Sequence, residues 1–260
     1  MKIAVSGKGG VGKTTLASLL IKCLALDGKS VIAIDADPDA NLANALAMDA
    51  GKLVPIAMMK ELIEERTGAK PGSIGAFFKM NPAVDDLPEK LSVEKDNIKL
   101  MVMGGVKAGD SGCVCPENVL LKQLLRHVVL KRDEAVVMDM EAGLEHLGRG
   151  TAKGVDFFIA VVEPGKRSIE TAVSIKRLAA DLGVENLVVV GNKIRNIQDE
   201  NFIINSITDM NVVGFLPFTP AAIEADMSGQ AVFEREPELL NITKTILNSI
   251  GLISKRGNLT

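Results

Sequence analysis

Short, almost unbroken apolar runs recur along the chain at Ile3–Ser6, Val31–Ile34, Ile98–Met103, Ala135–Met138, Phe157–Val162, Leu187–Val190 and Val212–Phe215, with helical patterns between them. Strands alternating with helices predict a parallel sheet, and runs without polar alternation fit strands covered on both faces. The expectation is an α/β fold: one domain over residues 1–260, with a mostly parallel central sheet of about seven strands flanked by helices. Between Leu53 and Ile98 the chain is longer and more polar than a simple crossover. A helix is expected at Met58–Arg66, after which Pro71, Gly72, Gly75, Pro82 and Pro88 punctuate the sequence. Residues 53–97 therefore read as an insertion lying over the sheet edge. No internal repeat or low-complexity tract divides the chain.

Composition narrows the class. A chain of 260 residues with 47% hydrophobic and 24% charged content can bury a sizeable core. The 30 Lys and Arg against 33 Asp and Glu give a net charge of −3, which offers no basic field for nucleic acid. The apolar run Leu16–Leu26 is interrupted by Lys22 and is shorter than the roughly 20 residues of a membrane helix. Only Met1 and Lys2 precede the first strand, so no secretory leader is expected and the cytoplasm is the expected location. Three cysteines cannot build a disulfide scaffold at this length, and two histidines nearly exclude a multi-imidazole metal site.

The chemistry begins directly after the first strand. Gly7, Gly12, Lys13 and Thr14 fit G-x-x-x-x-G-K-[ST], and a helix through Leu16, Leu19 and Leu20 follows. This is the phosphate loop of a P-loop NTPase. Its glycines let backbone N–H groups turn inward around phosphate oxygens, and the helix start adds its positive dipole. Lys13 reaches the β and γ phosphates and Thr14 ligates Mg²⁺. Gly7, Gly9, Gly10, Val11, Gly12, Lys13, Thr14 and Thr15 form the expected ATP-binding segment. A second lysine, Lys8, stands at the opposite end of the same small loop, so the two lysines cannot serve one phosphate in the same way. The loop resembles the deviant Walker A of the MinD/ParA class. That resemblance implies a homodimer in which Lys8 crosses to the partner's nucleotide and neutralises charge on the transferring phosphoryl group.

Carboxylates are expected around the γ-phosphate. Asp35-Ala36-Asp37-Pro38-Asp39 follows the second strand, at the carboxyl edge where open α/β sheets bind ligands. The resembled class implies that Asp37 orients the attacking water, with Asp39 as a rival for that task. Asp139, at the end of Ala135–Met138, looks like the carboxylate behind the Mg²⁺ shell, and Asp35 joins Thr14 and Asp139 in the expected Mg²⁺ set. Gly143 would let the following loop move when the γ-phosphate leaves. Asn192-Lys193 follows the strand Leu187–Val190, where related folds contact the base, and the Asn192 amide suits the adenine edge.

Cys113-Val114-Cys115 precedes a helix expected at Val119–Leu130. Two thiols provide half of the four ligands that a closed Zn²⁺ or similar site needs. Cys23 falls inside the first helix, in register with Leu19, Leu20 and Leu26, and is expected in the core. A two-fold dimer solves the count, with one C-x-C from each chain.

These residues together resemble the CooC/AcsF family of nickel-inserting accessory ATPases of carbon monoxide dehydrogenase and acetyl-CoA synthase. The resemblance is carried by Gly7–Thr15, Asp35–Asp39, Cys113–Asn118, Glu134–Gly143 with Glu145-His146, Arg149–Lys153 and Val162–Pro164. It implies a P-loop ATPase that dimerises with ATP and binds Ni²⁺ or Zn²⁺ through Cys113 and Cys115, on a metal loop at residues 109–118. Its implied client is one of those two apo-enzymes. Two other readings stay open at this point. A MinD-like spatial organiser needs an amphipathic terminal helix, and Leu239, Leu240, Ile242, Ile246, Leu247 and Ile250 form an apolar stripe with Lys255 and Arg256 behind it. An electron carrier like nitrogenase iron protein needs cysteines far apart in sequence, and the segment Asp139–Gly148 has none.

Overall fold

The computed structural model describes residues 1–49, 51, 53–72, 77–104, 115–141 and 147–257. An eight-stranded sheet forms the centre, in the order β3-β4-β2-β5-β1-β6-β7-β8. Its strands are β1 (Lys2–Gly7), β2 (Val31–Ala36), β3 (Val93–Lys95), β4 (Ile98–Val102), β5 (Ala135–Met140), β6 (Phe157–Val162), β7 (Leu187–Ile194) and β8 (Asn211–Pro217). All pairings are parallel except that of β3 with β4. The helices are α1 (Lys13–Leu26), α2 (Leu42–Ala45), α3 (Lys60–Thr67), α4 (Leu87–Lys90), α5 (Pro116–Lys131), α6 (Arg149–Ala152), α7 (Lys166–Leu182), α8 (Ile197–Ser206), α9 (Pro220–Ser228), α10 (Val232–Arg235) and α11 (Glu238–Gly257).

Strand periodicity divides the core in two. Phe157, Ile159 and Val161 pack on one face with Leu16, Leu19, Leu20 and Cys23 of α1 and Ile246 and Ile250 of α11. Phe158, Ala160 and Val162 pack on the other with Leu120, Leu124 and Val128 of α5 and Ile175 of α7. Both faces being covered explains why the strands read as continuous apolar runs. The terminal stripe is spent on this packing: Leu239, Ile246, Leu247 and Ile250 are buried. The feature that motivated a membrane-organising role is thus core. Among the described residues no helix is long and apolar enough to cross a membrane.

The insertion differs from its expectation in two ways. A 3₁₀ turn at Ile56–Met58 precedes α3, and the segment adds the eighth strand. β3 has only three residues and no buried position, so periodicity gives no signal. The signal is in the turn instead. Asp96 and Asn97 both adopt positive φ, 52° and 63°, and join β3 to β4 as a two-residue hairpin.

Phe158→Ala, at a position 1% exposed, is expected to cost about 3–5 kcal/mol in urea unfolding. Phe77→Ala, fully exposed, is expected to stay within about 0.5 kcal/mol of the parent.

Candidate functional site

The parallel order brings the ends of β1, β2, β5, β6 and β7 to one edge of the sheet. There β1 ends at Gly7, whose added Cβ would stand 2.6 Å from the Val161 carbonyl oxygen, so only glycine fits. Val11 is fully buried and anchors the loop. Gly12 has φ +91° immediately before α1, a conformation that disfavours any side chain. Lys13 opens the helix with 7% of its surface exposed. Thr14 and Thr15 are half-buried, Gly9 and Gly10 exposed, and Lys8 half-buried with no ion pair among the described residues.

The carboxylates converge on this loop. Thr14 Oγ1 donates to Asp139 Oδ2 at 2.6 Å. Asp139 Oδ1 is buried without a hydrogen-bond partner among the described residues. A hydroxyl oxygen and an orphaned carboxylate oxygen side by side are hard donors, so the residues present fit a Mg²⁺ ion or its water shell. Lys13 Nζ lies 3.5 Å from Asp37 Oδ2. Asp37 Oδ1 accepts the Asp39 N–H at 3.0 Å, and Asp39 itself is exposed. Of the two rivals, Asp37 is therefore the one aimed at the phosphate lysine.

Both carboxylate oxygens of Asp35, expected beside Thr14 and Asp139 at Mg²⁺, accept backbone N–H groups. Its Oδ2 accepts the Leu42 N–H at 2.9 Å and its Oδ1 the Asp37 N–H at 3.3 Å. It organises the loop that carries Asp37. β2 and β5 pair with Asp35 opposite Asp139, and both are fully buried. Burial, with the neighbouring carboxylate added, pushes Asp139 up to about 7, while its Thr14 bond and Lys13 pull the other way. Burial likewise pushes Asp35 up to about 6 against the backbone N–H bonds it accepts.

Asn192 is held against the phosphate loop. Its Nδ2 donates to the Val11 carbonyl at 2.8 Å and its Oδ1 accepts the Lys193 N–H at 2.8 Å. The amide expected on the adenine edge braces the phosphate loop, and a Cβ on Gly12 would lie 2.1 Å from Nδ2. The sequence places Lys193 beside Asn192 and Glu163 within Val162–Pro164 without giving either a partner; Lys193 Nζ bonds the Gly10 carbonyl at 2.6 Å and Glu163 Oε2 at 3.0 Å. Contacts 183 and 30 residues apart leave no local pattern.

Cys23 is core, as expected: its Sγ donates to the Leu240 carbonyl at 3.4 Å, and burial pushes the thiol up to about 11. Cys115 is the half-buried residue before α5, and its carbonyl accepts the Val119 N–H at 3.1 Å. Cys113 and Gly143 lie outside the described residues. Among the described residues no group of three or more His, Cys, Asp or Glu is placed to hold a metal ion.

The CobQ/CobB/MinD/ParA nucleotide binding domain family matches residues 2–232. The carbon monoxide dehydrogenase accessory protein CooC of Rhodospirillum rubrum is 47% identical, covering 91% of this chain and 91% of that one. An uncharacterized ATP-binding protein of Methanocaldococcus jannaschii is 48% identical over 89% of this chain and 91% of its own. Among solved structures, MinD of Aquifex aeolicus superposes with a TM-score of 0.67 at 20% identity, covering 96% of this chain and 98% of that one. MinD of Pyrococcus horikoshii, complexed with Mg-ADP, gives 0.64 at 21% identity, covering 99% and 98%. The likeness to these two structures is one of fold.

The raised carboxyl groups have a consequence for stability. An acid whose folded value lies above its unfolded one keeps its proton in the fold while the unfolded chain ionises, so stability falls as pH rises between the two values. Without nucleotide or Mg²⁺, the protein is expected to lose stability between about pH 4, where an ordinary aspartate ionises, and about pH 7. Asp139→Asn is expected to flatten that slope and to melt several degrees higher than the parent at pH 8, with little difference at pH 4. Differential scanning fluorimetry across this range is the measurement.

Proposed function

The chain belongs to the CobQ/CobB/MinD/ParA nucleotide-binding family, and within it to the group of CooC; on that premise we propose that it is an ATP-hydrolysing metallochaperone for a nickel enzyme of the carbon monoxide dehydrogenase or acetyl-CoA synthase type. ATP closes a homodimer, and the cargo is Ni²⁺ or Zn²⁺ held by Cys113 and Cys115 of both chains. It works in the cytoplasm, free of membranes and nucleic acid. The observation that carries the ATPase reading is the pairing of Lys13 with Asp37 at 3.5 Å beside the Thr14–Asp139 bond. A phosphate-binding lysine, a water-orienting carboxylate and a Mg²⁺-ligating hydroxyl then share one small space.

The residues divide the reaction as follows. Loop N–H groups and Lys13 bind the phosphates, drawing Lys13 off Asp37. Thr14 and Asp139 are the residues that would hold Mg²⁺, which when bound would supply positive charge against the phosphate oxygens. Asp37, released from Lys13, accepts a hydrogen bond from the attacking water and aligns it with the γ-phosphorus. Lys8 of the second chain stabilises the leaving charge. The bond from γ-phosphorus to the bridging oxygen breaks as the water oxygen bonds to phosphorus, leaving ADP and phosphate. The C-x-C is supported as cargo site by the ligand count: two thiolates per chain make four in a two-fold dimer, and thiolates favour Ni²⁺ or Zn²⁺ over Mg²⁺.

Lys8→Ala is expected to keep ATP binding but to lose ATP-driven dimerisation and to slow hydrolysis by about 10³ or more, the scale of a finger residue. Asp37→Asn is expected to trap an ATP-loaded dimer. Light scattering with phosphate release checks both, and normal turnover in Lys8→Ala would remove the trans lysine. If Asp39→Asn slows hydrolysis while Asp37→Asn does not, the two roles are exchanged.

The metal is expected at one ion per two chains. Cys113→Ala and Cys115→Ala each lose it while keeping ATP binding, and Cys23→Ala changes neither. Anaerobic metal analysis of the four proteins decides this; one ion per monomer, or metal retained in Cys113→Ala, rejects the shared site.

A further inference from the structure

Two consecutive carbonyls at the tip of the phosphate loop are gripped from outside by two consecutive side chains of β7. Asn192 takes the Val11 carbonyl at 2.8 Å, and Lys193 Nζ takes the Gly10 carbonyl at 2.6 Å. Lys193 is held in turn by Glu163 Oε2 at 3.0 Å, just beyond β6. Glu163 is itself fixed, because its N–H donates to Ser168 Oγ at 3.0 Å in the first turn of α7. Lys193 also adopts φ +58°, the left-handed region that a lysine enters only at a cost.

This arrangement bears on the phosphates through peptide geometry. A peptide group is planar and trans, so its C=O and N–H point in opposite directions. Carbonyls of Gly10 and Val11 held outward leave the N–H groups of Val11 and Gly12 on the opposite side, the side of the phosphate cradle. The Val11 N–H also makes a long 3.3 Å bond to the Lys8 carbonyl, closing the turn on which Lys8 stands. The peptide that Lys193 fixes is therefore the one whose N–H closes the Lys8 turn, next to the peptide that Asn192 holds with its Gly12 N–H facing the other way. A half-exposed ion pair contributes little to stability, so stability does not account for a strained lysine here.

We propose that Lys193, held by Glu163, is a positioning residue for ATP: it fixes the peptide between Gly10 and Val11, preorganising the phosphate cradle and the turn that presents Lys8. The inference deepens the ATPase reading and rests on it, and it is independent of the metal.

The test uses Lys193→Gly, which keeps the positive φ while deleting the ammonium, together with Lys193→Arg, Glu163→Gln and the double variant Lys193→Gly/Glu163→Gln. Calorimetry with ADP and ATP, steady-state hydrolysis and nucleotide-free melting are measured on each. Lys193→Gly is expected to bind nucleotide about tenfold more weakly, the scale of one charge-assisted hydrogen bond, and to hydrolyse more slowly at saturation, with the melting temperature nearly unchanged. Lys193→Arg recovers part of the affinity. Glu163→Gln shifts affinity in the same direction by less, and the double variant is no worse than Lys193→Gly, because Glu163 acts through Lys193. Unchanged affinity in Lys193→Gly, a lowered melting temperature without loss of affinity, or full additivity of the two losses overturns the proposal. Should Lys193→Gly not fold, unchanged affinity in Glu163→Gln overturns it alone. Failure of the parent protein to bind ATP rejects the ATPase reading first, and the positioning role with it.

Discussion

Asp35 and Asp139 end two neighbouring buried strands in register, and the cation closest to them in function, Lys13, pairs with Asp37 instead. Burying two carboxylates side by side is unfavourable unless they are neutral, hydrogen-bonded or near positive charge. The chain uses each of these partly. Asp35 is absorbed by two backbone N–H groups, and Asp139 by one hydroxyl, with its second oxygen left without a partner among the described residues. The unfavourable remainder is what a Mg²⁺ ion would relieve. Ligand affinity is in this sense stored in the sheet register, since a one-residue slip of β5 against β2 would carry Asp139 to the opposite face.

How much of this was legible depended on how local each signal is. The phosphate loop is written in nine contiguous residues, and the fold places Lys13, Thr14 and Asp139 together as those residue types require. Seven strands could be read from apolar runs because both faces of the sheet are covered. The eighth escaped because β3 is three residues at an edge, marked only by the Asp96-Asn97 turn. Asp37 and Asp39 could not be separated from sequence spacing. What distinguishes them in the structure is a tertiary contact, the approach of Lys13 to Asp37. The bond from Asn192 to the Val11 carbonyl, 181 positions away, has no local signal in the sequence. For Lys193 and Glu163, ordinary polar residues at strand ends, the chemistry exists only once β6, β7 and the loop are assembled.

The same assembly bears on how a nucleotide could be felt by a metal. β4 runs beside β2, and the Met103 N–H at its end donates to the Asp35 carbonyl at 2.8 Å. Gly104 follows at φ +76°, so close to Pro55 that an added Cβ would lie 2.8 Å from its ring. From there the chain leads to Cys113, and it enters α5 at Cys115 and Pro116. α5 is anchored along its length by buried Leu120, Leu121, Leu124, Leu125 and Val128. Met103, at the end of β4, is thus bonded to β2, whose Asp35 side chain organises the Asp37 loop, and Cys115 stands at the start of the anchored α5. The contacts run in sequence from Lys13 to Asp37, from Asp37 to Asp35, and from Asp35 to Met103. Coupling over so short a path must run both ways. On the metallochaperone reading proposed above, a metal that favours one nucleotide state must itself be bound more tightly in that state by the same free energy.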